Sequence, residues 1–248
     1  MIHFFRRRPT AARPIFAPLG ADMHCHLLPC VDDGSRGNDE TEVCLQVMHD
    51  AGFGKVYCTP HYQYPRFPND EEDIKRRFAD LKTDIASNLQ KLDIELAGVA
   101  GEYRYDSVFG ERVEKDSFLL IAGKYLLVEF SLSQQVMGYE DVLFGLQMKG
   151  YEIILAHPER YPYFAGNSPR LEHLKEMGIL FQANVLSLSG FYGEGTQIKA
   201  FDMVNRGWVD FLGTDLHNPI YARALIENTH DRKVEKLIET HTFLNNTL

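Results

Sequence analysis

His24 and His26 stand one residue apart in D-M-H-C-H. In an extended chain that spacing sends both imidazoles to one face and Cys25 to the other, and two imidazoles side by side suit a single metal ion. The same signature, a metal-binding side chain closing a short apolar run, recurs along the sequence. His61 follows V-Y-C-T-P, Glu102 follows A-G-V-A-G, Glu129 closes L-L-V, His157 closes I-I-L-A, and Asp215 with His217 closes F-L-G-T. Asp33 joins them from V-D-D-G-S. Singly, each has an ordinary explanation, a helix-capping acid for Glu129 or a packed core histidine for His157. Five histidines and four carboxylates gathered on one rim without metal would bury several unpaired charges, each with a desolvation cost of several kcal/mol. Cations relieve that cost. The remaining histidines, His3, His49, His173, His230 and His241, fall near the N-terminus or in helical stretches and read as surface or packing residues.

From about residue 20 onward, short apolar runs alternate with longer amphipathic stretches. That alternation is a βα repeat and implies a parallel sheet. The expected strands are Ala21–Leu28, Lys55–Thr59, Ile94–Gly101, Tyr125–Phe130, Glu152–Ala156, Leu180–Val185 and Val209–Gly213. The best-marked helix is Asn69–Leu92, with Asn69 as cap, acids from Asp70 to Asp73 in its first turn, and Ile74, Phe78, Leu81, Ile85 and Leu89 at spacings of three and four. Further helices are expected at Asp39–Ala51, Tyr139–Lys149, Ser168–Met177 (with Pro169 at its first position), Gly195–Asn205 and Ala222–Leu244. About seven βα units in one unbroken chain point to a closed barrel over an open sheet, although periodicity does not give strand order. In either architecture the functional residues belong at the carboxyl ends of the strands, where the loops open.

Composition narrows the function further. A 248-residue chain that is 44% hydrophobic can bury roughly 70–75% of its unfolded surface in one core without disulfides. Cys25, Cys30, Cys44 and Cys58 form no C-x-x-C pair, which argues against a zinc knuckle or a stapled secreted scaffold and fits a reducing cytoplasm. The longest apolar runs, Phe118–Ala122 and Tyr125–Val128, fall far short of the ~20 residues needed to cross a bilayer, so a membrane protein is not expected. With 26 Lys+Arg against 35 Asp+Glu the net charge is −9. It repels a phosphate backbone, and Arg6–Arg8 is the one dense basic run, so nucleic acid is not an expected partner. Residues 1–19 read as a leader without an export signal, and residues 20–248 as one domain.

Taken in order, D-M-H-C-H-L-L-P, V-D-D-G-S, T-P-H, the G-E of A-G-E-Y, V-E-F-S, A-H-P-E-R-Y and G-T-D-L-H-N resemble the polymerase-and-histidinol-phosphatase (PHP) superfamily. More narrowly, they resemble the bacterial metal-dependent protein-tyrosine phosphatases encoded with capsule and exopolysaccharide synthesis. The resemblance covers about residues 20–225. It implies a distorted (β/α)7 barrel with a trinuclear metal site at the carboxyl ends of the strands. It places His24, His26, Glu102 and Asp215 around one ion, Glu102, Glu129 and His157 around a second, and Asp33, His61 and His217 around a third. Mn2+ is the ion it implies, and the mixed donor set suits Mn, Fe, Co or Zn better than Ca or a pure thiolate metal. The implied substrate is a phosphotyrosine protein, namely the tyrosine-rich tail of a bacterial kinase that controls polysaccharide assembly. A small phosphate ester such as histidinol phosphate is the alternative substrate for the same site.

Charge agrees with a phosphoryl substrate: four carboxylates supply −4 and three divalent ions +6, leaving +2 for a phosphate monoester dianion. The expected chemistry is in-line attack by a metal-held hydroxide, with no protein nucleophile. Arg160 and Arg223 stand where the resemblance expects phosphate-contacting guanidinium forks. A tyrosyl group leaves as a phenolate of pKa ~10, which lessens the need for a strong general acid. The aromatic stretch from Tyr62 to Phe67 is expected to flank its ring. Cys30 and Arg36 have the C-x-x-x-x-x-R spacing of thiolate phosphatases. Asp32 and Asp33 between them oppose a thiolate and repel phosphate, so a small thiol in a tight turn is the expected reading.

Overall fold

Strand pairing in the computed structural model, which describes residues 11–164 and 169–248, is parallel throughout. Residues 1–10, the first half of the expected leader, and Ser168, the expected start of a helix, lie outside the described residues. The strands are β1 (Ala21–Cys25), β2 (Lys55–Cys58), β3 (His61–Tyr62), β4 (Glu95–Val99), β5 (Glu102–Arg104), β6 (Tyr125–Glu129), β7 (Glu152–Ala156), β8 (Leu180–Asn184) and β9 (Phe211–Gly213). They form a three-stranded sheet in the order β1-β2-β4 and a six-stranded sheet in the order β3-β5-β6-β7-β8-β9.

All seven expected strands are present, but pairing runs as two sheets, not as one closed ladder. The reason lies in two short breaks. After β2 the chain meets Pro60, which has no N–H to give a ladder, and resumes in the second sheet as β3. After β4 it bends at Gly101, where an added Cβ would lie 2.5 Å from the Tyr103 ring, and resumes as β5. Backbone bonds bridge the breaks, from Ala100 N to Cys58 O at 2.9 Å and from Glu102 N to Pro60 O at 3.0 Å.

The opposite seam joins β1 to β9. Asp215 N donates to His24 O at 2.7 Å, and His26 N donates to Leu216 O at 2.9 Å. Thr214 bonds the Asp22 carboxylate through both its N–H (2.7 Å) and its hydroxyl (2.9 Å). At the far end of the seam the buried Asn245 side chain replaces a strand. Its Nδ2 donates to Ala21 O (3.0 Å) and Leu212 O (2.7 Å), while its Oδ1 accepts from Leu212 N (2.9 Å).

The helices are α1 (Asn38–Ala51), α2 (Glu71–Asp84), α3 (Ala86–Leu92), α4 (Phe109–Lys115), α5 (Tyr139–Met148), α6 (Pro169–Glu176), α7 (Val185–Leu188), α8 (Glu194–Asn205), α9 (Pro219–Asn228) and α10 (Arg232–Thr240). The long helix expected over 69–92 divides at Ile85 into α2 and α3, and its cap is Asp70, whose side chain accepts from Glu72 N and Asp73 N. Asn69 instead ties loops together, donating to Val31 O and His61 O. The stretch expected over 222–244 likewise divides into α9 and α10, with Asp231 capping the second. Residues 15–19, expected as the end of a leader, pack onto the domain, with Phe16 buried and stacked on Phe53 at 5.3 Å. No helix among the described residues is long and apolar enough to cross a membrane.

A small apolar cluster that includes Met23, Tyr57, Leu127, Ile154 and Phe211 is separate from the larger one that packs strands against helices. Burial on both faces explains the nearly continuous apolar runs of β6 and β7.

Candidate metal centre

Of the histidines and carboxylates singled out from the sequence, His24 and Glu129 lie near the carboxyl ends of β1 and β6, His26, Asp33, His157, Asp215 and His217 lie in the loops that follow strands, and His61 and Glu102 open β3 and β5 just past the breaks after β2 and β4. His24 and His26 bring their Nε2 atoms within 3.3 Å of each other. Glu102 sits in the middle, fully buried. Its Oε1 lies 3.3 Å from His24 Nε2 and 3.3 Å from His157 Nε2, and its Oε2 lies 3.4 Å from His26 Nε2 and 2.8 Å from His61 Nδ1. Asp215 Oδ1 is 3.6 Å from His24 Nε2 and 3.4 Å from His26 Nε2. Glu129 Oε1 is 3.8 Å from His157 Nε2. Asp33 Oδ1 is 3.5 Å from His61 Nε2 and 3.9 Å from His217 Nε2.

These atoms fit a metal better than they fit one another. Both oxygens of Glu102, and Nδ1 of His61 and of His157, are buried with no hydrogen-bond partner. Orphaned buried polar atoms are costly unless something absent from the protein chain satisfies them. Donor atoms of His26, His61 and His217, of His24, His26 and Asp215, of His24, Glu102 and His157, and of His61, Glu102 and Glu129 each gather within 4.8 Å. The backbone is bent to reach this arrangement, since His157 (φ 32°) and Asp215 (φ 51°) both occupy the left-handed region that non-glycine residues avoid.

An outer ring of contacts sets the tautomers. His24 Nδ1 lies 2.8 Å from Gln182 Oε1, His26 Nδ1 lies 2.8 Å from Asp32 Oδ2, and His217 Nδ1 lies 2.8 Å from Asp215 O. Each acceptor fixes the proton on Nδ1 and leaves Nε2 with its lone pair toward the centre. Gln182 Nε2 passes the chain on to Asn184 Oδ1 at 2.8 Å, and Asn184 Nδ2 returns it to Asp215 Oδ2 at 2.7 Å. Burial disfavours the imidazolium of His24, but the Glu102 and Asp215 carboxylates outweigh it and raise the pKa to about 9. Glu102 and Asp215 answer in kind: burial pushes their pKa values up, and the surrounding imidazoles hold both well below the usual carboxylate range.

Asp32, Gln182, Asn184 and Arg104 are the site residues that sequence reasoning missed. Gln182 and Asn184 carry a readable signal, because they close β8 two residues apart just as His24 and His26 close β1.

A cavity of about 270 Å³ opens over the cluster, walled by Glu129, His157, Asp215 and His217 and bordered by Arg104 and Arg160. A larger one, of about 750 Å³, lies around Lys55, Glu95 and Leu248 and contains none of the cluster. Arg160 stands at the site, with Nη1 2.7 Å from Asp215 Oδ2 and its guanidinium over the Tyr192 ring. Arg223 does not: its side chain on α9 is 80% exposed and pairs with Glu227 one turn on. Tyr62 is also elsewhere. It alternates with His61 along β3, so it faces inward, buried and stacked on Tyr103 at 4.5 Å. Its neighbours Gln63 and Arg66 border the cavity instead. The Cys30 thiol donates to Arg36 O at 3.1 Å, and the exposed Arg36 side chain pairs with Glu40, so this loop builds no phosphate cradle.

The family profile described as capsular polysaccharide synthesis, CpsB/CapC, matches residues 20–246. Tyrosine-protein phosphatase YwqE of Bacillus subtilis (strain 168) is 32% identical over 201 residues, which cover 79% of this chain and 77% of that protein. The putative tyrosine-protein phosphatase CapC of Staphylococcus aureus is 30% identical over 224 residues, covering 88% and 85%. A solved structure from work on YwqE of Bacillus subtilis and CpsB of Streptococcus pneumoniae, described as metal-dependent tyrosine phosphatases, superposes with a TM-score of 0.73 at 24% identity over 90% of this chain and 96% of that chain. The phosphotriesterase homology protein of Escherichia coli superposes with a TM-score of 0.53 at 14% identity over 97% and 96%. At these identities the superpositions speak for a shared fold.

Proposed function

The chain belongs to the CpsB/CapC family of capsular polysaccharide synthesis and is a tyrosine-protein phosphatase, and we propose that the histidine and carboxylate cluster is its active centre and holds three divalent ions. The observation that carries this reading is Glu102, a fully buried carboxylate whose two oxygens have no hydrogen bond and face four imidazole nitrogens. His24, His26, Glu102 and Asp215 hold one ion, Glu102, Glu129 and His157 a second, and Asp33, His61 and His217 a third. Mn2+ is the proposed ion. Bound there, the ions supply an activated water and Lewis-acid stabilisation of the phosphoryl oxygens.

The chain's own residues do the rest. Gln182, Asp32 and the Asp215 carbonyl hold three imidazoles with Nε2 inward. Arg160 keeps one N–H on Asp215 and has others to offer an equatorial phosphoryl oxygen. The polar cavity admits a phosphate, while the aromatic leaving group lies near Tyr221, one of its lining residues. The two sheets are read as one distorted (β/α)7 barrel, supported by the backbone bonds across both seams, and residues 20–248 as one catalytic domain behind a leader. The proposed substrate is the phosphotyrosine-bearing tail of a bacterial tyrosine kinase in polysaccharide assembly, met in the cytoplasm.

The test is phosphate release from a phosphotyrosine peptide before chelation, after chelation, and after Mn2+ is restored. Activity that survives complete chelation overturns the metal reading. A higher kcat/KM for histidinol phosphate than for the peptide would move the assignment to small phosphate esters.

A further inference from the structure

Three guanidinium groups stand at the cavity, and each holds a different outer carboxylate of the cluster. Arg160 Nη1 is 2.7 Å from Asp215 Oδ2, Arg104 Nη1 is 2.5 Å from Glu129 Oε2, and Arg66 Nη2 is 3.1 Å from Asp33 Oδ2. They differ in depth. The Arg66 side chain is 60% exposed, that of Arg160 20% and that of Arg104 15%.

Arg104 closes β5 two residues after Glu102, so the strand turns both to one face. Its fork carries five N–H donors, and among the described residues Glu129 is its single carboxylate partner within 4.0 Å. Glu129 ends β6, which lies between β5 and β7 in the sheet. Arg104 at the end of β5 and Arg160 just past β7 therefore flank Glu129 from opposite sides. A phosphoryl group in flight spreads its charge over three equatorial oxygens, and donors on one side alone leave part of that charge unmet.

We propose that Arg104 is a second phosphoryl-binding residue, facing Arg160 across the cavity. It also positions Glu129, holding Oε2 so that Oε1 is presented on the His157 side. The assignment rests on the phosphatase reading for its substrate, and it replaces Arg223, whose side chain is turned to solvent.

The experiment is calorimetric titration of inorganic phosphate into Mn2+-loaded wild type, Arg104→Lys and Arg104→Ala. Metal content and peptide kcat and KM are measured on the same samples. Arg104→Lys retains a charge for Glu129 and its full metal content, yet loses the fork, so phosphate binds about 10-fold more weakly. In Arg104→Ala the loss is about 10- to 100-fold per loaded molecule, and kcat/KM for the peptide falls in parallel. Phosphate affinity in Arg104→Lys within about twofold of wild type overturns the proposal, and so does loss of metal in both variants, which would make Arg104 structural. Because phosphate binding is read without turnover, the two readings separate: a wild type that binds phosphate through Arg104 but leaves phosphotyrosine peptides intact removes only the phosphatase reading.

Discussion

A single buried oxygen, Asp32 Oδ2, lies 2.8 Å from His26 Nδ1 and accepts the backbone N–H of His61 at 3.0 Å. One carboxylate thus sets the ring of one imidazole and the chain position of another. Its other oxygen accepts Gly34 N at 2.9 Å, and Gly34 is where a Cβ would collide with the His26 carbonyl.

Asp32→Asn removes the charge and places an N–H2 among groups that are all donors. Metal affinity is expected to fall about 10- to 100-fold, as for other residues that orient a metal-binding histidine. Competition for Mn2+ against a chelator of known affinity reads this directly, and an unchanged affinity would remove the orienting role.

The pH dependence follows from His24. Its pKa is about 9 in the metal-free fold against 6.5 for an unperturbed imidazole. A raised folded-state pKa stabilises the metal-free protein fully below pH 6.5, and the contribution is lost as pH rises through about 9. Metal entry displaces that proton, so metal affinity moves the opposite way. The difference in melting temperature between Mn2+-loaded and metal-free protein should widen between those two pH values. Mn2+ added to weakly buffered protein near pH ~7.5 should acidify the solution. A constant gap would contradict His24 as a ligand.

Cys30 and Asp33 should respond oppositely to substitution. Cys30 is exposed and its thiol is engaged with Arg36 O, whereas Asp33 faces His61 and His217. Cys30→Ser is expected to keep the rate within about threefold, and Asp33→Ala to lose about 100-fold or more along with metal. Alkylation should modify Cys30 ahead of the buried Cys25, Cys44 and Cys58 without loss of turnover. Inactivation in step with Cys30 modification would instead indicate thiolate chemistry.

How much of this was legible in the sequence differs by residue. The histidines and carboxylates of the cluster other than Asp33 were readable because each sits at a fixed place relative to an apolar run, and that relation is local. His24 and His26 needed only the two-residue pleat. Arg223 and Tyr62 were misplaced because direction is not local: Tyr62 follows His61 by one residue and therefore faces the other way, and Arg223 turns outward on α9. Asp32 was hidden beside Asp33, since sequence alone does not tell which of two adjacent acids turns inward. The breaks at Pro60 and Gly101 carried recognisable residue types, but their effect on pairing depends on strands that are distant in the chain.

Asn245→Ala tests the seam between β1 and β9. The substitution leaves the Leu212 N–H and the Ala21 and Leu212 carbonyls without their partner in a buried setting. A loss of about 2–3 kcal/mol in unfolding free energy is expected, read by denaturant titration of metal-free protein. A midpoint equal to wild type would show that the seam does not depend on this side chain.

That seam has a consequence for the time course of biosynthesis. Asp22 and Thr214 are 192 residues apart, and translation adds ~5–20 residues per second, so the first strand waits on the order of 10–40 s for the segment that completes its site. During that interval His61, Glu102, Glu129 and His157 are added to the pair of His24 and His26, while Asp215 is still untranslated. On the proposed ligand set, an ion met before Asp215 is made would lack one of its four ligands. On the proposed assignment, the order of synthesis favours metal acquisition by the finished fold.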